Sequence, residues 1–288
     1  MKVKKAVIPV AGLGTRLLPA TKAIPKELVP VVSKPAVQWV VESAVESGIE
    51  EIIFVNSAGK QAIEDHFDGN AELERTLESK GKTALHEAVV KTRNLAKVAS
   101  VRQHAPLGLG HAVLQARQVV GDAPFAVILP DELVCGEKPA LAQCLEAAEA
   151  TDGPVIGIVE VPKEDVFRYG IVAAEEHGET TRRITDMVEK PPVEEAPSNL
   201  AITGPYVLSP EVFDLIAATE PGSGGEIQIT DALRQLAQQR PVHGRFIEGA
   251  RLDVGQPMGF VQANVTMGLQ DPELGESLRA WLKEMVAD

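Results

Sequence analysis

Short apolar runs alternate with stretches of helical period through the first half of the chain. The runs Lys5–Val10, Glu51–Asn56, Val98–Gln103, Phe125–Leu129 and Pro154–Val161 read as strands, with helices between them. That alternation predicts a mostly parallel sheet with helices on its faces. The helix after Ser33 carries the clearest boundaries: Ser33 placed to cap, Pro35 inside the start and Gly48 past the end. Residues 70–91 are charged and helix-prone, as in a surface excursion. Beyond about residue 160 the runs shorten, with strands near Tyr169–Ala174, Arg182–Lys190 and Asn199–Val207. A helix opening at Ser209-Pro210, a polar turn at Gly222–Gly225, a helix through Ala232–Gln239 and two amphipathic helices around 257–269 and 272–286 follow. Pro191–Pro197 reads as an exposed loop. No linker separates the two halves, so the second is expected to extend the sheet of the first in one Rossmann-like α/β domain.

Composition narrows the function. The chain has 288 residues, 28 basic and 41 acidic, for a net charge of −13. Such a surplus argues against binding nucleic acid or an anionic membrane, both of which need a positive face. Cys135 and Cys144 fit no disulfide framework, zinc pattern or C-x-x-C motif, and a reducing, cytoplasmic setting is expected. The basic start and the apolar Ala6–Val10 imitate a leader, but the run is short, holds Pro9 and meets Gly12, Gly14 and Arg16 at once. It reads as a first strand. No stretch approaches the roughly 18 apolar residues of a membrane span.

The charge is unevenly placed. Residues 1–34 hold seven basic side chains against Glu27, a local +6, which leaves −19 for the remainder. That positive region contains Val10–Pro19, a turn directly after the first strand in which Gly12 and Gly14 let backbone amides approach phosphate oxygens. Leu17 stands where a dinucleotide fingerprint needs a third small residue, which argues against a dehydrogenase, and no P-loop pattern is present. Arg16 offers a planar fork to phosphate and Lys26 a compact charge. Lys2, Lys4 and Lys5 read as solvated. Asp131 follows the strand Phe125–Leu129 and so falls at the carboxyl edge of the sheet, where open α/β sheets bind ligands and a carboxylate suits Mg²⁺.

Together these segments resemble a known family. Ala11–Pro35, Gly108-Leu-Gly-His-Ala112, Leu129-Pro-Asp131, Tyr169-Gly170, Val188-Glu-Lys-Pro191, Pro197–Ala201, Gly225–Asp231 and Asp253-Val-Gly255 follow the motif order of the sugar-1-phosphate nucleotidylyltransferases. The likeness spans nearly the whole chain and is strongest to the uridylyltransferases acting on glucose 1-phosphate. It implies that the sugar phosphate attacks the α-phosphorus of UTP, releasing pyrophosphate and giving UDP-glucose with Mg²⁺ as cofactor. It further implies a nucleotide-binding half over residues 1–160, a sugar-binding half over 161–256 and C-terminal helices over 257–288, assembled as a homodimer or homotetramer.

By the same resemblance Arg16, Lys26 and Lys190 are catalytic. Ala11, Gly12, Gly14, Thr15, Glu27, Gln103 and Gly108 bind the nucleotide, and Gly170, Glu189 and Gly204 the sugar. Asp131 and Asp253 match metal carboxylates, while Glu132 stands where many relatives carry a second aspartate. Glu189 and Lys190 are neighbours on a predicted strand, so reaching one ligand together requires an irregular strand end, for which Pro191 and Pro192 provide. His111 is read as structural, because a sugar phosphate is already ionised and needs no base. Two alternatives stand beside this reading: the same fold with another nucleotide such as dTTP or another sugar, and a non-catalytic UDP-glucose-binding relative.

Overall fold

A computed structural model describes residues 1–286, without the side chain of Ser223. From the amino terminus, β1 (Lys5–Pro9) runs into the glycine loop, and a small hairpin of β2 (Pro30–Val31) and β3 (Lys34–Pro35) precedes α1 (Ala36–Glu46). Next come β4 (Glu51–Asn56), α2 (Gln61–Phe67), α3 (Ala71–Ser79), α4 (Thr83–Arg93), β5 (Lys97–Arg102), α5 (Leu109–Gln115), α6 (Arg117–Val120) and β6 (Phe125–Val127). After β7 (Glu132–Cys135), α7 (Ala140–Thr151) leads to β8 (Val155–Glu160), β9 (Gly170–Glu176), β10 (Thr181–Glu189) and β11 (Leu200–Leu208). The chain closes with α8 (Val212–Ala218), α9 (Ile229–Gln239), β12 (Val242–Phe246), β13 (Ala250–Asp253), α10 (Pro257–Gln270) and α11 (Gly275–Met285).

Nine strands form one sheet in the order β5-β4-β1-β6-β11-β8-β12-β10-β9. Neighbours from β5 to β6 are parallel, as are β8 and β12, and only β10 and β11 run the other way. The expected mixed, mostly parallel sheet is therefore present, and β11 pairs with β6 to join the second half to the first. The apolar runs are continuous because the strands are covered on both faces. Ala6, Ile8, Ile52 and Phe54 pack on one face with Val37, Val40 and Val41 of α1. Val7, Ile53 and Val55 pack on the other with Val113 of α5, Phe213 of α8 and Leu233 of α9. Fully burying one such side chain contributes about 1.5–3 kcal/mol.

One boundary is corrected. Val32 adopts φ 58°, Val31 pairs with Lys34, and Ser33 is thereby used in the tight turn of the β2–β3 hairpin. Pro35 is the residue flanking α1, and no side chain caps that helix. The end is as expected, with Gly48 just beyond at φ 91°. Residues 70–93 do form a surface excursion: α3 buries only Leu77, α4 buries nothing, and Arg93 is paired with Glu74 at 2.8 Å.

Two features position the site. β1, β4 and β6 all end at the same edge of the sheet, which gathers the glycine loop, the turn after Asn56 and Asp131. Separately, β7 and β13 form an antiparallel ribbon in which Asp253 lies opposite Glu132, and the Val254 amide donates to the Asp131 carbonyl at 2.9 Å. Among the described residues, no helix is long and apolar enough to cross a membrane.

Candidate active site

The glycine loop is held by its carbonyls. Lys60, at the start of α2, donates from Nζ to the carbonyls of Val10 and Gly12, each at 2.6 Å. The Ser57 hydroxyl donates to the Ala11 carbonyl at 3.3 Å, and the Thr21 hydroxyl to that of Gly14 at 2.7 Å. Among the described residues the amides of Ala11 to Gly14 have no protein acceptor. A planar trans peptide points its N–H opposite its C=O, so carbonyls drawn inward turn the following amides toward the cleft, the arrangement that binds phosphate. Gly14 sits at φ 66°, and a Cβ there would meet Lys26 Cβ at 3.1 Å. Glu27 is buried beneath the loop with both carboxylate oxygens on Lys60, at 2.9 and 3.1 Å. Burial raises its pKa against the pull of Lys60, and burial lowers that of Lys60 against the pull of Glu27.

The neighbouring Lys26 reaches across to Asp131, with Nζ 2.6 Å from Oδ2. Burial disfavours its ammonium, yet the charge and hydrogen bond of Asp131, with a further pull from Glu27, outweigh burial and the Lys26 pKa is raised. Asp131 and Asp253 converge on Gly255, where a Cβ would lie 2.8 Å from Asp131 Oδ2 and 3.1 Å from Asp253 Oδ1. The Gly255 amide donates to Asp253 Oδ1 at 3.0 Å, leaving Asp131 Oδ1 and Asp253 Oδ2 without a protein donor among the described residues. Two hard carboxylate donors with free oxygens, around a cradle that any side chain would fill, fit Mg²⁺, which completes its shell with water and phosphate.

Beside Asp131, Glu132 accepts two hydrogen bonds from Arg251, at 2.6 and 2.7 Å. Burial pushes Glu132 up to about 7 despite that guanidinium. Arg251 also lies over the Tyr169 ring, 5.1 Å from its centroid, and so ties the carboxylate edge to the loop before Gly170. There the strand irregularity is found: Lys190 adopts φ 46°, and its Nζ returns to within 3.5 Å of Glu189 Oε1. Left-handed backbone breaks the alternation that would send the two side chains to opposite faces. Thr230 donates to Glu189 Oε2 at 2.7 Å, and Gly170 leaves room for both, since a Cβ would lie 3.0 Å from Thr230 Oγ1 and 3.1 Å from Glu189 Oε2.

A cleft of about 340 Å³ brings together Arg16, Asp131, Gly170, Glu189, Lys190 and Asp253, with Tyr169, Gln228 and Thr230. Ala11, Gly12, Gly14, Thr15, Lys26 and Glu27 belong to the loop and turn beside it. Gln103 is buried, donates to the Gly108 carbonyl at 3.1 Å and lies 3.0 Å from His111 Nδ1, which agrees with a structural His111. Gly204 does not line this cleft; it lines a neighbouring cavity of about 300 Å³ that shares Leu129, Glu132 and Thr203 with it. Lys60, Arg251 and Thr230 were not anticipated as site residues. Lys60 stands in none of the motifs that the sequence offers, four residues past the strand Glu51–Asn56.

The model of the family described as nucleotidyl transferase matches residues 5–268. The UTP–glucose-1-phosphate uridylyltransferase of Bacillus subtilis strain 168 is 48% identical over 285 residues, covering 99% of this chain and 98% of that one. A UTP-bound UGPase from Acinetobacter baumannii superposes with a TM-score of 0.89 at 42% identity, covering 98% of this chain and 99% of that one. A UDP-glucose pyrophosphorylase complexed with UDP-glucose superposes at 0.85 with 38% identity, covering 94% and 100%.

Proposed function

The chain belongs to the nucleotidyl transferase family, and from that membership and the geometry of the cleft we infer that it transfers the uridylyl group of UTP to glucose 1-phosphate. The products are UDP-glucose and pyrophosphate. The observation that carries the reading is a single cleft holding Arg16, the paired carboxylates Asp131 and Asp253, and the adjacent Glu189 and Lys190, beside a loop whose amides have no protein acceptor among the described residues.

Each residue answers a need of the reaction. The amides of Ala11 to Gly14, Thr15 and the side chains of Arg16 and Lys26 bind the triphosphate, orienting it so that pyrophosphate leaves opposite the attacking oxygen. Gln103 keeps its carbonyl oxygen free to read the base beside Gly108, while its amide nitrogen is held by that backbone. Glu189, fixed by Thr230, accepts from sugar hydroxyls above Gly170. Lys190, at the turn beside it, neutralises charge that grows on the α-phosphoryl group as the sugar phosphate attacks. Asp131 and Asp253 would hold Mg²⁺, which supplies further neutralisation of the phosphates when bound. Lys26 shares Asp131 Oδ2 and sets that carboxylate's orientation.

A cytoplasmic setting is supported by two unpaired cysteines. A homodimer or homotetramer is supported by Trp281 and Met285, one turn apart on α11, and by Met258 and Val261 on α10, all exposed apolar side chains. Pyrophosphate release measured across nucleoside triphosphates and sugar 1-phosphates tests the activity. UTP with glucose 1-phosphate is expected to be the preferred pair. Preference for dTTP, or binding of UDP-glucose without any pyrophosphate release, would overturn it.

A further inference from the structure

We propose that Lys60 is a positioning residue for the nucleoside triphosphate, acting through the glycine loop without touching the substrate. The proposal rests on the uridylyl-transfer reading above. Its Nζ has four oxygen partners within 3.1 Å: the carbonyls of Val10 and Gly12 and both oxygens of Glu27. The side chain is 11% exposed and the Glu27 carboxylate 1%, so the pair is removed from solvent and its hydrogen bonds are strong but exacting in geometry.

Two consequences follow from those contacts. Drawing the Val10 and Gly12 carbonyls inward forces the amides of Ala11 and Leu13 outward, because each peptide unit is rigid. Without Lys60 these peptides are free to rotate and to present carbonyl oxygens, which repel phosphate, where amides now stand. The second consequence concerns Lys26. Glu27 lies in the short turn Lys26–Leu28, and anchoring its carboxylate beneath the loop holds the adjacent Lys26 in register with Asp131. One ammonium thus sets two phosphate-facing features. The turn that carries it is itself fixed, since Asn56 donates to the Lys60 carbonyl at 3.1 Å and accepts from the Ser57 amide at 2.9 Å.

A purely structural role, neutralising buried Glu27, makes a different prediction, and paired variants separate the two. Lys60→Met keeps the length and apolar stem while removing all donors; Lys60→Met with Glu27→Gln also removes the buried charge that would otherwise be unpaired. Glu27→Gln alone is the baseline. Initial rates against UTP and against glucose 1-phosphate, UTP binding by calorimetry and thermal melting are measured on each. The expected result is a rise of about tenfold or more in KM and Kd for UTP in both Lys60 variants, with KM for glucose 1-phosphate within about twofold. The double variant is expected to recover the melting temperature but not the UTP affinity. An unchanged KM for UTP in a folded Lys60→Met protein, or recovery of UTP affinity in the double variant, overturns the proposal. Should Lys60→Met alone not fold, the double variant against Glu27→Gln decides. The native protein is assayed in parallel: if it releases no pyrophosphate, the transferase reading fails, and calorimetry with UTP still decides the role of Lys60.

Discussion

Lys26 and Asp131 form an ion pair in which one member is proposed to bind the triphosphate and the other the metal, so removing either charge is expected to be felt twice. Asp131→Asn keeps the shape but loses a charge beside Gly255 and strips Lys26 of its counter-ion. Turnover at saturating substrates should fall by about two orders of magnitude or more, with the Mg²⁺ dependence shifted to higher concentration, as seen in a metal titration of initial rates. Near-normal turnover would remove Asp131 from the metal site. Lys190→Ala tests a different contact. Its side chain is more than half exposed and makes only a 3.5 Å contact to Glu189, so the fold should tolerate its loss. A kcat reduction of about 10²–10³ with KM for UTP nearly constant is expected if the ammonium acts on the transferring phosphoryl group. An effect confined to KM for UTP would reassign it to ground-state binding. At this scale the sequence was partly legible: Arg16, Asp131 and Lys190 stand in motifs, and Thr230 lies in the Gly225–Asp231 motif without its role showing there, whereas Lys60 and Arg251 work through other side chains and leave no local pattern.

The elements that build the carboxylate edge were the hardest to read. β1, β4 and β6 are buried on both faces and announce themselves as apolar runs, which is why the glycine loop and Asp131 could be placed at a sheet edge. The ribbon of β7 and β13 is four residues a side, carries Glu132 and Arg251, and has no such run, so the approach of Asp253 to Asp131 was visible only through resemblance. β12, with His243, Gly244 and Arg245 among its five residues, was hidden for the same reason. Ser33 was misread because a helix cap and a tight hairpin turn favour the same residue types. The helix that closes this edge supplies a test. Gly259, in the first turn of α10, faces the Asp253 carbonyl so closely that a Cβ would overlap it. Gly259→Ala should push α10 away from β13 and carry Asp253 with it. A loss of about 1–3 kcal/mol is expected, lowering the melting temperature by several degrees, together with a clear fall in kcat. Loss of stability with kcat intact at low temperature would mean that Asp253 is not needed in its present place.

For the whole molecule, a net charge of −13 and a triphosphate substrate are reconciled by where the charge lies. Residues 1–34 carry +6, and that segment supplies Arg16 to the cleft and Lys26 beside it, while the −19 of the remainder includes four carboxylates that line the cleft, Asp131, Glu132, Glu189 and Asp253. A long polyanion meets the acidic surplus of the whole chain; a nucleotide, roughly the size of the cleft, meets Arg16, Lys26 and Lys190 at close range, and Mg²⁺ would offset Asp131 and Asp253. The attraction is expected to be screened. Raising ionic strength from about 0.01 to about 0.15 M shortens the Debye length from about 30 to about 8 Å, so the rate constant for UTP association should fall severalfold. Stopped-flow binding of UTP across a salt series measures this, with uridine, which lacks phosphates, as the uncharged comparison and expected to show no trend. Duplex DNA in the same buffers should show no binding even at the lowest salt, where its phosphates are least screened. Retention of DNA, or a UTP on-rate indifferent to salt, would mean that the basic segment does not act as a local field and that the triphosphate is drawn in only by contacts made after it has docked.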